Sequence, residues 1–403
     1  MIVRPLYLDK LAGYIDKPFI KVVAGIRRAG KSTLLAGVRD VLLTRGVKES
    51  EIAFINFDSL NYTHIRTKED FVALEKELLS SGVRYYLFDE LQNIEHWDEA
   101  VSALYAEGNV DIFITGSNSK LLSSELSTFF TGRYVDIRVS TLNFREFLDF
   151  KTNRGKQLRA LSDEFDDYLR RGGFPSINVI DQTETQDDEE VSDILSSIIF
   201  RDIVERKNLR NTELLSRVLR FTFDNMGNTF SAKSISDYLK NEKMSLSQET
   251  IYKYLGWLEE AFVIERVRRY DLRGKVHLKT DEKFYLGDIS LLYALNGRSN
   301  TYLSGLLENI VYHELISHGY NVTIGRNGEA EIDFVAEKNH QTMYLQVAAS
   351  TADRKTSERE FGAFSGIDDN YPKYVLTLDD PKIPESHNGI ERKFLPEFIL
   401  NQL

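Results

Sequence analysis

Residues 21–35, KVVAGIRRAGKSTLL, constrain this chain more than any other stretch. An apolar run of Val22, Val23 and Ala24 leads into Gly25, Ile26, Arg27, Arg28, Ala29, Gly30, Lys31, Ser32 and Thr33, and a helical pattern follows. G-x-x-x-x-G-K-[ST] between a strand and a helix is the spacing of a P-loop. Glycine lets the backbone curl until successive N–H groups face phosphate oxygens, and the helix offers them the positive end of its dipole. Lys31 then reaches the β- and γ-phosphates, and the Ser32 hydroxyl becomes a ligand for Mg²⁺. The stretch predicts an α/β fold that binds a nucleoside triphosphate, ATP, together with Mg²⁺.

The next segments fit that core. Residues 52–57 (IAFINF) read as a strand, and 69–80 as a helix. A third strand over 85–88 runs straight into Asp89 and Glu90. Four apolar residues followed by two acids form a Walker B pattern: Asp89 enters the Mg²⁺ shell, and Glu90 polarises the attacking water. After a helix near 97–105, the strand DIFIT (111–115) stops at Gly116, Ser117 and Asn118. Ser117 and Asn118 are placed to sense the γ-phosphate, or to cap the helix expected from Ser119. Arg133 precedes a last strand, 135–139, and reads either as an arginine finger for a neighbouring copy or as a surface ion-pair residue. The first alternative implies a homo-oligomer.

Composition limits the rest. The 403 residues allow two to four domains, and a formal net charge of −11 argues against a protein that coats nucleic acid wholesale while permitting local basic patches. There is no cysteine, hence no disulfide or thiolate chemistry, which fits a reducing compartment. No stretch approaches the ~20 apolar residues of a membrane span, and MIVRPLYLDK does not read as a signal peptide, so the expectation is a cytoplasmic protein without a membrane partner.

The series GIRRAGKSTLL, YYLFDELQNIEHW, ITGSNSKLLSSEL, FTGRYVDIRVSTLNFREF and RRGGFP resembles a prokaryotic AAA-type ATPase family. Members of that family carry a C-terminal domain of unknown function and are related to the initiator and STAND-type ATPases. The resemblance implies Lys31, Ser32, Asp89 and Glu90 in their usual roles, Ser117 or Asn118 as sensor, and Arg133 as finger. It also maps a nucleotide-touching glycine–proline motif onto Gly173 and Pro175 of GGFP. Read alone, those two residues end a helix.

Residues 1–140 are thus expected to be the AAA core with its parallel sheet, and 141–210 a helical lid holding ATP against it, interrupted by the acidic run DQTETQDDEE (181–190). Residues 211–300 read as three helices and a β-hairpin, a winged helix-turn-helix with residues 248–260 in the recognition position. That helix holds Glu249, Glu259 and Glu260 against Lys253. The wing gathers Arg266, Arg268, Arg269, Arg273, Lys275, Lys279 and Lys283, which points to DNA phosphates. Residues 301–403 resemble a PD-(D/E)XK nuclease: a helix with Glu308, a strand with Asp333, and a strand ending in a short motif. Where such a site has a glutamate and a lysine, this chain has Gln346, Val347 and Ala348, so the frame is expected not to cleave. The predicted protein is an ATP-hydrolysing switch acting on or with DNA. The alternative is a signalling or scaffold ATPase whose C-terminal domains bind a protein partner.

Overall fold

Five short strands make the first sheet: β1 (Ile20–Ala24), β2 (Ile52–Asn56), β3 (Tyr85–Asp89), β4 (Asp111–Gly116) and β5 (Tyr134–Arg138). All pair in parallel, in the order β2-β3-β4-β1-β5. Every residue of β1, β3 and β4 is buried, as expected of interior strands covered by helices on both faces, whereas edge strand β2 exposes Phe54. Helices Lys31–Thr44, Lys68–Ser80 and Trp97–Ala106 make the crossovers. The second starts on a reciprocal cap between Thr67 and Asp70 and buries Phe71 against Phe57 and Phe88, with ring centroids 5.5 and 5.1 Å away. The structure, a computed structural model, describes residues 2, 4–122, 132–277, 282–383 and 386–403.

The chain divides into two compact units: Met1–Thr141 with Glu260–Phe262, and Leu142–Glu259 with Val263–Leu403. The second unit begins with helices Phe144–Asn153 and Leu161–Arg171. The acidic run, 181–190, is three non-helical residues followed by a helix start. Thr183 caps it, and Glu184–Ser197 is a helix that continues as a π-helix over Ile198–Glu205. Helices Thr212–Asp224, Ala232–Asn241 and Gln248–Glu260 follow, with an antiparallel sheet of order β6-β10-β7 built from β6 (Thr229–Phe230), β7 (Ile264–Val267) and β10 (Glu282–Leu286).

Between β7 and β10 the chain departs from the expected single hairpin. β8 (Arg269–Asp271) and β9 (Val276–His277) leave that sheet and complete an eight-stranded one. β8 runs parallel to β11 (Asn321–Asn327), with Arg326 opposite Asp271. From there β12 (Ala330–Lys338), β13 (Gln341–Val347), β14 (Lys373–Thr377), β16 (Ile390–Phe394) and β15 (Ser386–His387) extend the sheet in that order. Helices Leu303–Ser317 and Arg354–Gly362 precede β11 and follow β13. Buried Glu314 on the first of these accepts a 2.7 Å hydrogen bond from the Phe144 N–H, satisfying the start of helix Phe144–Asn153. Among the described residues no helix is long and apolar enough to cross a membrane.

Candidate nucleotide site

β1, β3 and β4 point the same way, so the loops leaving their C-terminal ends gather at one edge, where open α/β sheets bind ligands. Gly25 opens the first loop. A Cβ there would lie 1.9 Å from the Val139 carbonyl oxygen, so only glycine fits. Gly30, at φ 92°, adopts the left-handed turn that delivers the chain into helix Lys31–Thr44, and Arg28 takes φ 70°. Within the loop the Ala29 N–H donates to Ile26 O at 3.1 Å. Lys31 is buried, and its ammonium donates to Gly25 O at 3.0 Å and Ile26 O at 3.1 Å. Ser32 and Thr33 are exposed on the first turn, while Ile26 is buried and Arg27 half-buried. Arg4, far away in sequence, donates to Ala29 O and Ser140 O at 2.8 Å each and to Thr141 O at 3.1 Å, and so fastens the loop from behind.

Asp89 lies at the end of β3. One carboxylate oxygen accepts from the Thr115 hydroxyl, and the other from Asn56 Nδ2 at 2.8 Å. Burial pushes its carboxyl above the ordinary value, although hydrogen bonds from Thr115 and Ser32 and the Lys31 charge oppose the shift. Glu90 turns left-handed (φ 57°), which swings its side chain out of the strand, and its N–H donates to Thr115 Oγ1 at 3.1 Å. Gln92 Nε2 donates to Glu90 Oε2 and reaches Ser117 Oγ at 3.4 Å, linking the two. Ser117 and Asn118 are buried just past β4, followed by a 3-10 turn over Ser119–Leu122; the rest of the helix expected from Ser119 lies outside the described residues.

Lys31, Ser32, Asp89 and Glu90 are therefore brought together with Ser117 nearby, while Arg133 is not. It is exposed at the start of β5, where Tyr134 pairs with Ile20, at the opposite end of the sheet from the P-loop. The length of the strand, about 13 Å for four steps, separates the two ends, so Arg133 does not serve its own loop. Sequence reading missed Arg4, Asn56, Gln92 and Thr115.

The residues fit Mg²⁺ and a triphosphate. Ser32 Oγ and the Asp89 carboxylate are hard oxygen donors in hydrogen-bond contact. Among the described residues no group of three His, Cys, Asp or Glu forms a metal cage, and Mg²⁺ held by one carboxylate, phosphates and water needs none.

The GGFP motif has an internal explanation. Gly172 takes φ 73°, and a Cβ there would lie 2.3 Å from Asp288 Oδ1. The Gly173 N–H donates to Asp288 Oδ2 at 2.9 Å, and Pro175 opens the short helix Pro175–Asn178. These contacts account for Gly173 and Pro175 without a nucleotide.

Three of the expected wing cations are paired with carboxylates within the fold. Arg266 is paired with Glu259 at 2.7 Å and with Glu282 at 3.3 Å, and Arg269 lies 4.0 Å from Glu331. Lys283 is buried and lies 2.8 Å from Glu331, 3.0 Å from Glu308 and 3.3 Å from Asp333. Arg273 donates to Asn327 Oδ1 at 3.2 Å, though it remains exposed, as do Arg268 and Lys275. Lys279 lies outside the described residues. Glu308 and Asp333 thus share Lys283 as a partner. Gln346 is spent on structure: its Oε1 accepts from the Asp333 N–H at 2.6 Å and its Nε2 donates to Glu360 at 2.8 Å. The Val347 N–H donates to Asp333 Oδ2 at 2.9 Å, and Ala348 is buried.

A parallel sheet of this order with a P-loop after β1 and an acidic pair after β3 defines a P-loop ATPase core. Residues 17–148 match the family described as an AAA domain, and 162–302 match a domain of unknown function, DUF8612. Over 402 residues the chain is 39% identical to an "Uncharacterized protein" of Haemophilus influenzae, covering 99% of each chain. It is 30% identical to "Uncharacterized protein MJ1544" of Methanocaldococcus jannaschii, over 90% of this chain and 82% of that one. The chain belongs to the family of these proteins, a family of AAA-type P-loop ATPases. Its fold is similar to that of a Walker-type ATPase of Pyrococcus abyssi, with a TM-score of 0.51 at 16% identity over 73% of this chain and 96% of that chain.

Proposed function

We propose that this protein is a Mg²⁺-dependent, ATP-hydrolysing switch. The observation that carries the reading is the convergence of Lys31, Ser32, Asp89 and Thr115 at one end of the first sheet. Lys31 exchanges its bonds to Gly25 O and Ile26 O for β- and γ-phosphate oxygens, while loop N–H groups and the start of helix Lys31–Thr44 receive the remaining charge. Mg²⁺, when bound, would neutralise charge on the β- and γ-oxygens, held by Ser32 and Asp89. Glu90 leaves its bond to Gln92 to orient a water in line with the γ-phosphate, and Ser117 and Asn118 read that phosphate from the end of β4. Arg133 acts on a neighbouring copy's site.

For the output we propose DNA contact by a winged helix, narrowed to exposed Arg268, Arg273 and Lys275. The C-terminal domain is a nuclease-like frame that does not cut. A protein partner is the second reading, favoured by the internal pairing of Arg266, Arg269 and Lys283. ATP hydrolysis measured with and without mixed DNA substrates at two salt concentrations tests both. Stimulation by DNA that fades with salt supports the first output reading, and indifference to all DNA supports the second. Lys31→Ala should lose nucleotide binding or turnover, and Glu90→Gln should hold ATP but hydrolyse it slowly. Turnover by Glu90→Gln at the parental rate would remove Glu90 from the mechanism.

A further inference from the structure

One side chain from the amino-terminal segment reaches the P-loop. Arg4 stands just ahead of helix Pro5–Gly13, is 3% exposed, and its guanidinium lies over the Tyr7 ring at 4.5 Å. That helix sits closely on the P-loop helix: a Cβ added to Gly37 would lie 3.2 Å from the Leu8 side chain. Arg4 is thus rooted against the same helix that the loop feeds. Its Nη1 donates to Ala29 O and to Ser140 O, and its Nη2 to Thr141 O. The far anchor is itself held twice more. The Ser140 N–H donates to the Tyr7 hydroxyl at 3.3 Å, and the Val139 N–H to Ala24 O at 2.8 Å.

The bond to Ala29 O has a consequence at the other end of the same peptide. A trans peptide is planar, with its C=O and N–H pointing in opposite directions. Arg4 draws the Ala29 oxygen to the back of the loop, so the Gly30 N–H is turned to the opposite face. Gly30 has φ 92°, and beside a residue so permissive the peptide plane reverses at little steric cost. A reversed plane would offer phosphate an oxygen in place of a donor. A charge-assisted bond from a buried guanidinium is a strong restraint against that reversal.

We propose that Arg4 is the positioning residue of the phosphate cradle. By holding the Ala29 carbonyl it keeps the Gly30 N–H aimed at the phosphate chain, and its bonds to Ser140 and Thr141 stop the guanidinium from following the loop. The inference rests on the reading of this loop as a phosphate site and adds to it a residue outside the motif. Lys31 supplies charge to the phosphates, whereas Arg4 supplies the direction of a donor without touching them. A brace that served stability alone would shift the melting temperature and leave the affinity for phosphate unchanged.

The test separates the phosphate chain from the base: titration calorimetry of the full-length protein with ATP and with tripolyphosphate, each with Mg²⁺, beside a Lys31→Ala control. Arg4→Met keeps the reach of the side chain and removes its donors. It should raise Kd by at least about tenfold, and by the same factor for both ligands, because the misdirected donor faces phosphate and not the base. A folded Arg4→Met with the parental Kd for tripolyphosphate overturns the proposal, and so does a loss confined to ATP. If Arg4→Met purifies unfolded, Arg4→Lys decides, since a single ammonium lacks the fork that spans three carbonyls. Weaker tripolyphosphate binding by folded Arg4→Lys supports the proposal, and parental binding overturns it. A parent that binds neither ligand overturns the phosphate site and this inference with it. A parent whose binding Lys31→Ala weakens and the Arg4 variants do not overturns the role of Arg4 alone.

Discussion

Glu75 offers a quantitative test of the first unit. It lies on helix Lys68–Ser80, is 3% exposed, and its Oε1 has no hydrogen-bond partner. Burial alone pushes its carboxyl from 4.5 up to about 8. The folded chain therefore keeps a proton that the unfolded chain releases, and stability falls as pH rises from about 4.5 to about 8. At about 1.4 kcal/mol per unit, the penalty is about 3 kcal/mol at pH 7 and about 4 kcal/mol at pH 8. Glu75→Gln keeps the shape and removes the titration. It should raise the melting temperature of this unit at pH 7 by about 6–12 °C, and near pH 4.5 the parent and variant should melt together. Calorimetric scans of both proteins from pH 4.5 to 8.5 would measure the difference. A parent–variant gap that stays constant across this range would refute the buried, proton-holding carboxyl.

Two variants probe the sites. Thr115→Val removes the hydroxyl that donates to Asp89 and accepts from the Glu90 N–H. Losing a hydrogen bond to a charged group, about 1.5–3 kcal/mol, should lower kcat about 10–150-fold with ATP binding retained. Because the Thr115 bond opposes the upward shift of Asp89, the acid limb of the rate profile should move to higher pH, which steady-state kinetics at several pH values would detect. Arg268→Ala with Lys275→Ala should leave DNA-free hydrolysis unchanged and reduce the salt slope of DNA binding by about 2, as read by fluorescence anisotropy. An unaltered slope would remove these residues from any DNA interface.

The nucleotide site was legible where chemistry is local in sequence. Gly25, Gly30, Lys31 and Ser32 are contiguous with their strand and helix, and Asp89 and Glu90 follow an apolar strand, so spacing alone singles them out. Arg4, Asn56 and Thr115 were not legible, because each meets its partner across 25 or more residues of chain. The placement of Arg133 was not legible, because a strand has two ends and a list of motifs does not say at which end a flanking residue falls. In the wing the obstacle was different. Counting cations does not distinguish a solvated lysine from a buried one. A signal was present: Lys283 opens the run Phe284, Tyr285 and Leu286, and period-two alternation puts it on the same face as buried Tyr285.

The ties within the second unit bear on how a switch would transmit its state. The segments read as lid, winged helix and nuclease-like domain are joined by the Glu314–Phe144 bond, the bidentate Arg298–Asp188 pair, the Lys283 cluster and the β8–β11 pairing. Separating the lysine from its carboxylates would leave buried charges unpaired, at a cost of about 3–5 kcal/mol. That is a large share of the free energy usually available to a conformational equilibrium. These segments should therefore move as one body through the ATPase cycle. Arg326 and Asp271 are register partners on β11 and β8, and the chain has no native cysteine to compete. Arg326→Cys with Asp271→Cys should form a disulfide that leaves kcat for ATP within about twofold of the reduced form, less than 1 kcal/mol of barrier. A reversible, oxidation-dependent loss of turnover would mean that β8 parts from β11 during the cycle, and that the nucleotide acts inside this unit.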